Sequence, residues 1–457
     1  MKMITGNDLI QMGFERGKWF GIAIEHINTN DLSGDAMMSY IDTVKPPPPL
    51  PVISLHAEPV KYFLNITAET ELEKENVKKV CESMDILMRT PVVVGGCVMP
   101  DACPTGVGHI PVGGIAIVKN AVVPNFHSAD ICCSLMLTNI GKVDPKLVLD
   151  TAMKFAHFGA GGRPRETQFR LPQEILTEIE LNPFLNSEHS ISIARSHLGT
   201  SGDGNHFIFC GVSKKTGDTI IVSHYGSRGF GAALYKTGMK VAENFRKKLS
   251  PETPSMNAWI PFDTTEGENY WNALQTVRKW TKQNHICIHN KIAEGLNTEI
   301  KDRFWNEHNF VFKDGDLFYH AKGATPMNSK FMPDITGPRI IPLNMSQPIL
   351  IVEGGNNEHG LGFAPHGAGR NLSRTQHKKE KGDKSIQDIF TEETQGIDAR
   401  FFSGKIDISE LPSAYKNAEE VKKQIIEFDL ATIIDEITPV GCIMAGHIEN
   451  NWRKKKK

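Results

Sequence analysis

Apolar positions along this chain fall into short runs, and their spacing predicts strands and helices interspersed without a regular order. Leu9, Ile10 and Phe14 form an apolar stripe behind the capping residues Thr5-Gly-Asn-Asp8, and Trp19 to Ile27 resume a helical period. Residues 5–28 therefore read as a helical hairpin broken at Gly13, and residues 29–44 are polar and small. Lys45-Pro-Pro-Pro-Pro-Leu-Pro51 must be extended. The pattern divides the chain into an N-terminal helical arm over 1–44, a proline-rich linker over 45–51 and a main domain over 52–457.

Within that domain, Val52–Leu55 and Phe63–Ile66 look like strands. Thr67–Leu87 reads as a helix with Leu72, Val77, Val80, Met84 and Leu87 on one side. Pro91–Asp101 is a buried strand ending in a carboxylate. Ile115–Val118 and Ala121–Val123 read as a short hairpin around Lys119-Asn120. Further on, strands are expected at Phe207–Cys210 and Thr219–His224, helices at Ala232–Lys248 and Glu266–Leu296, and strand segments within Ile340–Val352 and at Gly441–Met444. No fixed-period repeat is present. Without βαβ alternation, the expected class is α+β: an irregular fold with mixed and antiparallel sheets, surrounding helices and a small N-terminal helical hairpin.

Composition narrows this picture only slightly. The 457 residues are 40% hydrophobic and 23% charged, with a formal net charge of −2, so a polyanion would need a local basic patch. None of the eight cysteines forms a CxxC pair, which argues against a zinc ribbon. No apolar run approaches the roughly 18 residues of a membrane span, and the N-terminus lacks a signal-peptide core, so a cytoplasmic protein is expected.

Chemistry concentrates first in Val122–Leu135, where Asp130, Cys132 and Cys133 lie in apolar sequence. Alone, these residues suit either a turn with small buried thiols or the corner of a metal site, if a turn points Asp130 and Cys133 inward. His206, His224, His289 and His366 each sit beside Gly, Asn, Ser or Arg. With Asp130 and a thiolate they suit one or two borderline metals such as Mn²⁺, Fe²⁺ or Zn²⁺. Arg228, Lys322, Arg370 and Arg374 accompany the histidines and suit phosphate oxygens. Neither a GxxxxGK[ST] loop nor a GxGxxG turn after a strand is present.

Six ordered segments resemble the RtcB RNA ligases: Asp130-Ile-Cys-Cys133, Gly204-Asn-His-Phe207, His224-Tyr-Gly-Ser-Arg-Gly229, His289-Asn290, Lys322-Gly-Ala-Thr325 and Pro365-His-Gly-Ala-Gly-Arg370. The likeness runs from about residue 90 to the C-terminus. It implies a Mn²⁺-dependent enzyme of RNA repair or tRNA splicing. Such an enzyme joins RNA 3′-phosphate or 2′,3′-cyclic phosphate ends to 5′-hydroxyl ends, with GTP or another nucleoside triphosphate as cofactor. By the match, Asp130, Cys133, His206, His224 and His289 hold two metal ions. His366 carries the nucleotidyl group, and Asp101 and Arg370 are tied to catalysis. Asn205, Tyr415 and Asn344 contact the nucleotide, and Arg228, Lys322 and Arg374 bind RNA phosphates. A protein partner in RNA repair, or an activating one, fits the same picture; a membrane does not.

The base contacts depart from the family. Phe209 stands where the family has a guanine-contacting Glu, Cys103 where it has a His, Leu343–Ile349 where it has a guanine-binding Gly-Ser-Met-Gly segment, and Ala445-Gly446 where it has Lys-Gly. Two other functions are compatible with the same residues: a metal-dependent phosphodiesterase or phosphatase acting on RNA ends without ligation, and a non-catalytic RNA-end binder. The basic segment 376–385 and the Lys454–Lys457 tail would add non-specific RNA affinity.

Overall fold

The computed structural model describes residues 3–46, 52–331, 334, 337–354 and 357–447. Most of the proline run and the whole lysine tail lie outside them. The chain separates into two compact units, Met1–Val52 and Ile53–Lys457.

Among its described residues the smaller unit holds three helices, Gly6–Gln11, Trp19–Thr29 and Gly34–Val44. Leu9, Trp19, Phe20, Ala23, Ile27, Met37 and Ile41 form its core. The expected hairpin is thus completed by a third helix in the segment that reads as merely polar. Met37 and Ile41 are buried with Tyr40 and Val44 packed beside them, an i, i+3, i+4, i+7 stripe that a reading of this segment as polar passes over.

In the larger unit, the central element is an eight-stranded sheet. Its path runs 339–341, 349–353, 432–444, 207–213, 219–225, 134–139, 302–307, with 398–401 added beside 432–444. Neighbours along that path are antiparallel, and only the added strand is parallel to its partner. A second sheet has the order 63–64, 93–103, 112–119, 317–322, 309–314. The 32-residue helix Thr265–Leu296 is capped by Thr264 and buries fifteen of its residues, Trp280, His285 and His289 among them. The architecture is α+β, as its residue pattern implies.

The expected hairpin around Lys119-Asn120 does not form. Both edges of Val112–Lys119 are already occupied, by 93–103 on one side and 317–322 on the other. Ala121–Val122 pairs instead with Ile260–Pro261. Asn120 takes a left-handed φ of 48° at this corner, a conformation that Asn tolerates better than most residues.

Two buried histidines fasten the loop between these strands. His320 Nε2 accepts the Val123 N–H at 2.9 Å and its Nδ1 faces the Phe318 carbonyl. His127 lies between the Ser128 carbonyl and the Tyr270 hydroxyl. Burial lowers His127 to about 4 and His320 to about 3. Both stay neutral in the folded protein, whereas the unfolded chain takes up protons below about pH 6.5. The unfolded state therefore binds more protons as pH falls, and stability is lost in acid. Each histidine should cost about 1.4 kcal/mol at pH 5.5 relative to neutral pH. Urea midpoints in EDTA at pH 7.5 and 5.5 test this. His320→Gln, whose amide oxygen still accepts from Val123, should show a shallower decline than the wild type; an identical decline would rule His320 out as a contributor.

Candidate active site

The loop Ser128–Cys133 enters the large sheet at Ser134 through two unusual backbone conformations. Ser128 has φ 72° and Cys132 has φ 57°, both in the left-handed region that costs a non-glycine residue on the order of 1 kcal/mol or more. The kink at Cys132 buries its own thiol in the core and turns Cys133 to the same side as Asp130. The loop is tied to a second turn: Cys132 N–H donates to the Asn309 carbonyl, His308 N–H to the Cys133 carbonyl, and the Asn309 amide to the Asp130 carbonyl.

Five donor groups converge here. Cys133 Sγ lies 3.1 Å from His224 Nε2 and 3.5 Å from His206 Nε2. His206 Nε2 is 3.2 Å from Asp130 Oδ2, and His224 Nε2 is 3.1 Å from His308 Nε2. The ligand atoms of Cys133, His224 and His308 lie within 4.8 Å of one another, as do those of Asp130, Cys133 and His206. Gly226 allows this approach, since a side chain there would overlap the Asp130 carboxylate.

The protonation pattern of the cluster suits a cation. His206 Nδ1 lies 2.8 Å from the Ser201 carbonyl and His224 Nδ1 lies 3.2 Å from the Asn205 carbonyl. A carbonyl accepts only, so each Nδ1 carries the proton and each Nε2 turns a lone pair inward, the outer-partner arrangement of metal-bound histidines. Burial lowers His224 to about 3 and pushes His308 well below the usual histidine range, so neither resolves the crowding by taking a proton. Burial opposes ionisation of Asp130 too, but its surroundings, the Arg228 guanidinium among them, outweigh it and bring the carboxyl to about 2. Lone pairs and a carboxylate that face one another at 3.1–3.5 Å with few protons between them fit a borderline metal bound by N, O and S donors.

His289 does not join this cluster. Its Nε2 meets Ser223 Oγ at 2.6 Å and its Nδ1 meets Thr138 Oγ1 at 2.7 Å. His285 sits beside it, between Ser223 Oγ and Ser134 Oγ. Side chains alternate across a strand, so Ser223 points to the helix behind the sheet while His224 points to the cluster. The helix histidines pack on the far face. His308, which sequence reasoning missed, takes the place expected of His289. It also begins a His-Asn pair, and it follows directly on the strand Asp302–Glu307, the strand-end setting that singled out His224.

His366 shares the cavity with the cluster, its ring centroid 4.9 Å from that of His308. Asp101 Oδ2 holds His366 Nδ1 at 2.5 Å and also accepts the backbone N–H groups of His366 and Gly367. Gly369, at φ 70°, is required because a side chain there would collide with the Asp101 carbonyl. Asn205 lines the same cavity, and its side-chain amide has no hydrogen-bond partner among the described residues.

The cavity encloses about 410 Å³. Arg370 stacks on Tyr415 at 4.5 Å and donates to the Ser409 carbonyl and to Glu410. Arg374 donates to the other oxygen of Glu410, so this buried carboxylate, a second omission of the sequence reading, orders both arginines. Lys322 Nζ reaches Thr105 Oγ1 and the Ile110 carbonyl, and burial pulls its ammonium down to about 8. Arg228 packs beside His206 and donates to the Gly159 carbonyl. Asn344 lines the cavity with its Oδ1 taken by the Ser346 N–H.

Fold and cavity together define an α+β protein with a thiol, carboxylate and histidine cluster set beside one carboxylate-held histidine. A family model described as tRNA-splicing ligase RtcB matches residues 166–445. The tRNA-splicing ligase RtcB of Thermococcus kodakarensis is 26% identical over 440 residues, covering 79% of this chain and 89% of that protein. The protein of the same name from Archaeoglobus fulgidus is 24% identical over 463 residues, covering 84% and 94%. With that of Pyrococcus abyssi, 27% identity extends over 285 residues, 53% of this chain and 31% of the relative. The chain belongs to the RtcB family of ligases.

Proposed function

We propose that this protein is an RNA ligase that joins 3′-phosphate or 2′,3′-cyclic phosphate ends to 5′-hydroxyl ends through a nucleotidyl-His366 intermediate, in cytoplasmic RNA repair or tRNA splicing. The observation that carries the reading is His366: one imidazole with its Nδ1 held by Asp101, in one cavity with the five-donor cluster. The catalytic unit is residues 53–457.

Asp130, Cys133, His206, His224 and His308 would hold two ions, with Cys133 common to both donor groups. Mn²⁺ suits the mixed donor set, and bound there it would offset phosphate charge. The remaining steps belong to the chain. His366 Nε2 attacks the α-phosphorus of a nucleoside triphosphate; the P–N bond forms, the α–β P–O bond breaks and pyrophosphate leaves. The Nδ1 proton stays in its bond to Asp101. A terminal oxygen of the RNA 3′-phosphate then displaces His366 and takes the nucleotidyl group. A cyclic end must first be opened by water to supply that oxygen. The 5′-hydroxyl attacks the activated 3′-phosphorus, loses its proton and releases the nucleoside monophosphate. Asn205 offers a free amide to the nucleotide phosphate. Tyr415 and Asn344 border the nucleotide, and Arg370 supports catalysis with its guanidinium fixed by Glu410. Lys322, Arg228 and Arg374 supply cations to RNA phosphates.

The test pairs the purified protein with Mn²⁺, α-labelled nucleotides and an RNA pair carrying 2′,3′-cyclic phosphate and 5′-hydroxyl ends. The expected result is an acid-labile adduct absent from His366→Ala, a joined product, and loss of both in EDTA. Cyclic ends that open without nucleotide and never join would assign a phosphodiesterase instead.

A further inference from the structure

The lining of the cavity carries an inference about the nucleotide, one that rests on the nucleotidyl-transfer reading above. Phe207 and Phe209 are two apart on one strand and share a face of the large sheet. Their partners on the neighbouring strand are Met444 and Cys442, so four apolar side chains form one platform. Across the other edge Phe207 pairs with His224, the two rings 5.4 Å apart. The platform is therefore continuous with the donor cluster. Leu343, Met345 and Ile349 extend the apolar lining.

Guanine and adenine differ at the edge such a chamber must read. Guanine presents N1–H and N2–H₂ donors that need acceptors once water is removed; adenine presents one amino group and an acceptor nitrogen. The selective partner for the guanine edge is a free carboxylate. Two carboxylates line the cavity among the described residues, Asp130 and Glu410. Asp130 belongs to the donor cluster. Glu410 is 2% exposed and engaged on both oxygens: Oε2 accepts from Arg370 and from the Tyr415 hydroxyl, and Oε1 from Arg374. Asn344 Oδ1 already accepts the Ser346 N–H, and its amino group is a donor that can meet guanine O6 or adenine N1 alike, so it does not read the guanine donors. A site that leaves buried donors unpaired disfavours the ligand that brings them.

We propose that the chamber takes adenine at least as well as guanine, that ATP serves as a nucleotide donor, and that Phe209 sets this choice. An aromatic ring accepts any base face by stacking and offers nothing to the guanine edge. The test measures the rate of His366 labelling with α-labelled ATP and GTP over a concentration series, in Mn²⁺, on the full-length protein. The expected ratio of kcat/KM for ATP over GTP is one or greater. A ratio below one, a preference for GTP, overturns the proposal while leaving the ligase reading intact; no adduct with any nucleotide overturns both. Phe209→Glu places a carboxylate on the platform and should move the ratio toward GTP at least tenfold. Phe209→Leu, apolar and smaller, should leave it within threefold. If Phe209→Glu fails to fold, the wild-type ratio alone decides. A folded Phe209→Glu protein with an unchanged ratio would remove Phe209 from the role.

Discussion

His308→Ala is expected to weaken Mn²⁺ binding at least ~100-fold and to abolish nucleotidyl transfer, whereas His289→Ala should keep metal affinity within about tenfold. Partners outside the donor shell typically contribute 10- to 100-fold to affinity, and a direct donor contributes more. His308 Nε2 faces His224 Nε2 at 3.1 Å, and its backbone N–H is bound to the Cys133 carbonyl. Its loss removes a donor and loosens the loop carrying another. His289 is one layer removed, reaching the donor strands only through Ser223 and Thr138. Its removal takes one buried hydrogen bond from each hydroxyl, while Ser223 keeps His285 and Thr138 keeps Arg303, so a loss of about 1 kcal/mol of stability per bond is expected. Competition with a chelating dye gives the affinities, and urea midpoints give the stabilities. Metal binding that survives in His308→Ala and fails in His289→Ala would return the donor role to the helix.

That contrast also marks how far the chain could be read without its structure. His206, His224 and His366 stand at strand ends or glycine turns, where side chains on rigid elements reach into a cavity, and residue context alone marks them out. Asp130 and Cys133 are legible as a pair only if a turn intervenes, and the left-handed Cys132 provides it. The choice between His289-Asn290 and His308-Asn309 depends on strand register. Ser134 pairs with Glu307 on one side and with Tyr225 on the other. These pairings bring His308 beside Cys133 and His224 and put Ser223 on the opposite face. Register is a tertiary quantity, set by which faces are buried, and single-sequence spacing does not contain it.

The same limit explains Glu410. Its sequence neighbours, Ser409 and Leu411, suggest only a polar turn. Its importance comes from two arginines 36 and 40 residues away that converge on one carboxylate. Residue context beside the histidines singles out Arg370 and Arg374 as candidates but not the group that orients them. In the small unit the reverse holds: Met37, Tyr40, Ile41 and Val44 recur at helical spacing, so the third helix is legible from local sequence alone.

The second large effect is expected at Asp101. Asp101→Asn should slow formation of the His366 adduct by about 10²–10⁴-fold while leaving Mn²⁺ affinity within threefold. As Nε2 bonds to phosphorus the imidazole becomes cationic, and Nδ1 must keep its proton facing a group that can balance the charge. Asp101 Oδ2 does this at 2.5 Å, anchored by the N–H groups of His366 and Gly367. An amide has two ways to fit. With its oxygen toward the ring, the hydrogen bonds persist but the balancing charge is gone. With its nitrogen toward the ring, the proton moves to Nε2 and the attacking lone pair is lost, the failure that costs a serine protease triad about 10⁴ in kcat. The backbone N–H groups favour the first orientation, which argues for the lower half of the range. His366→Ala sets the floor, and the double variant should match it, because the two side chains act as one unit. A rate for Asp101→Asn within fivefold of wild type would mean that the carboxylate only shapes the turn.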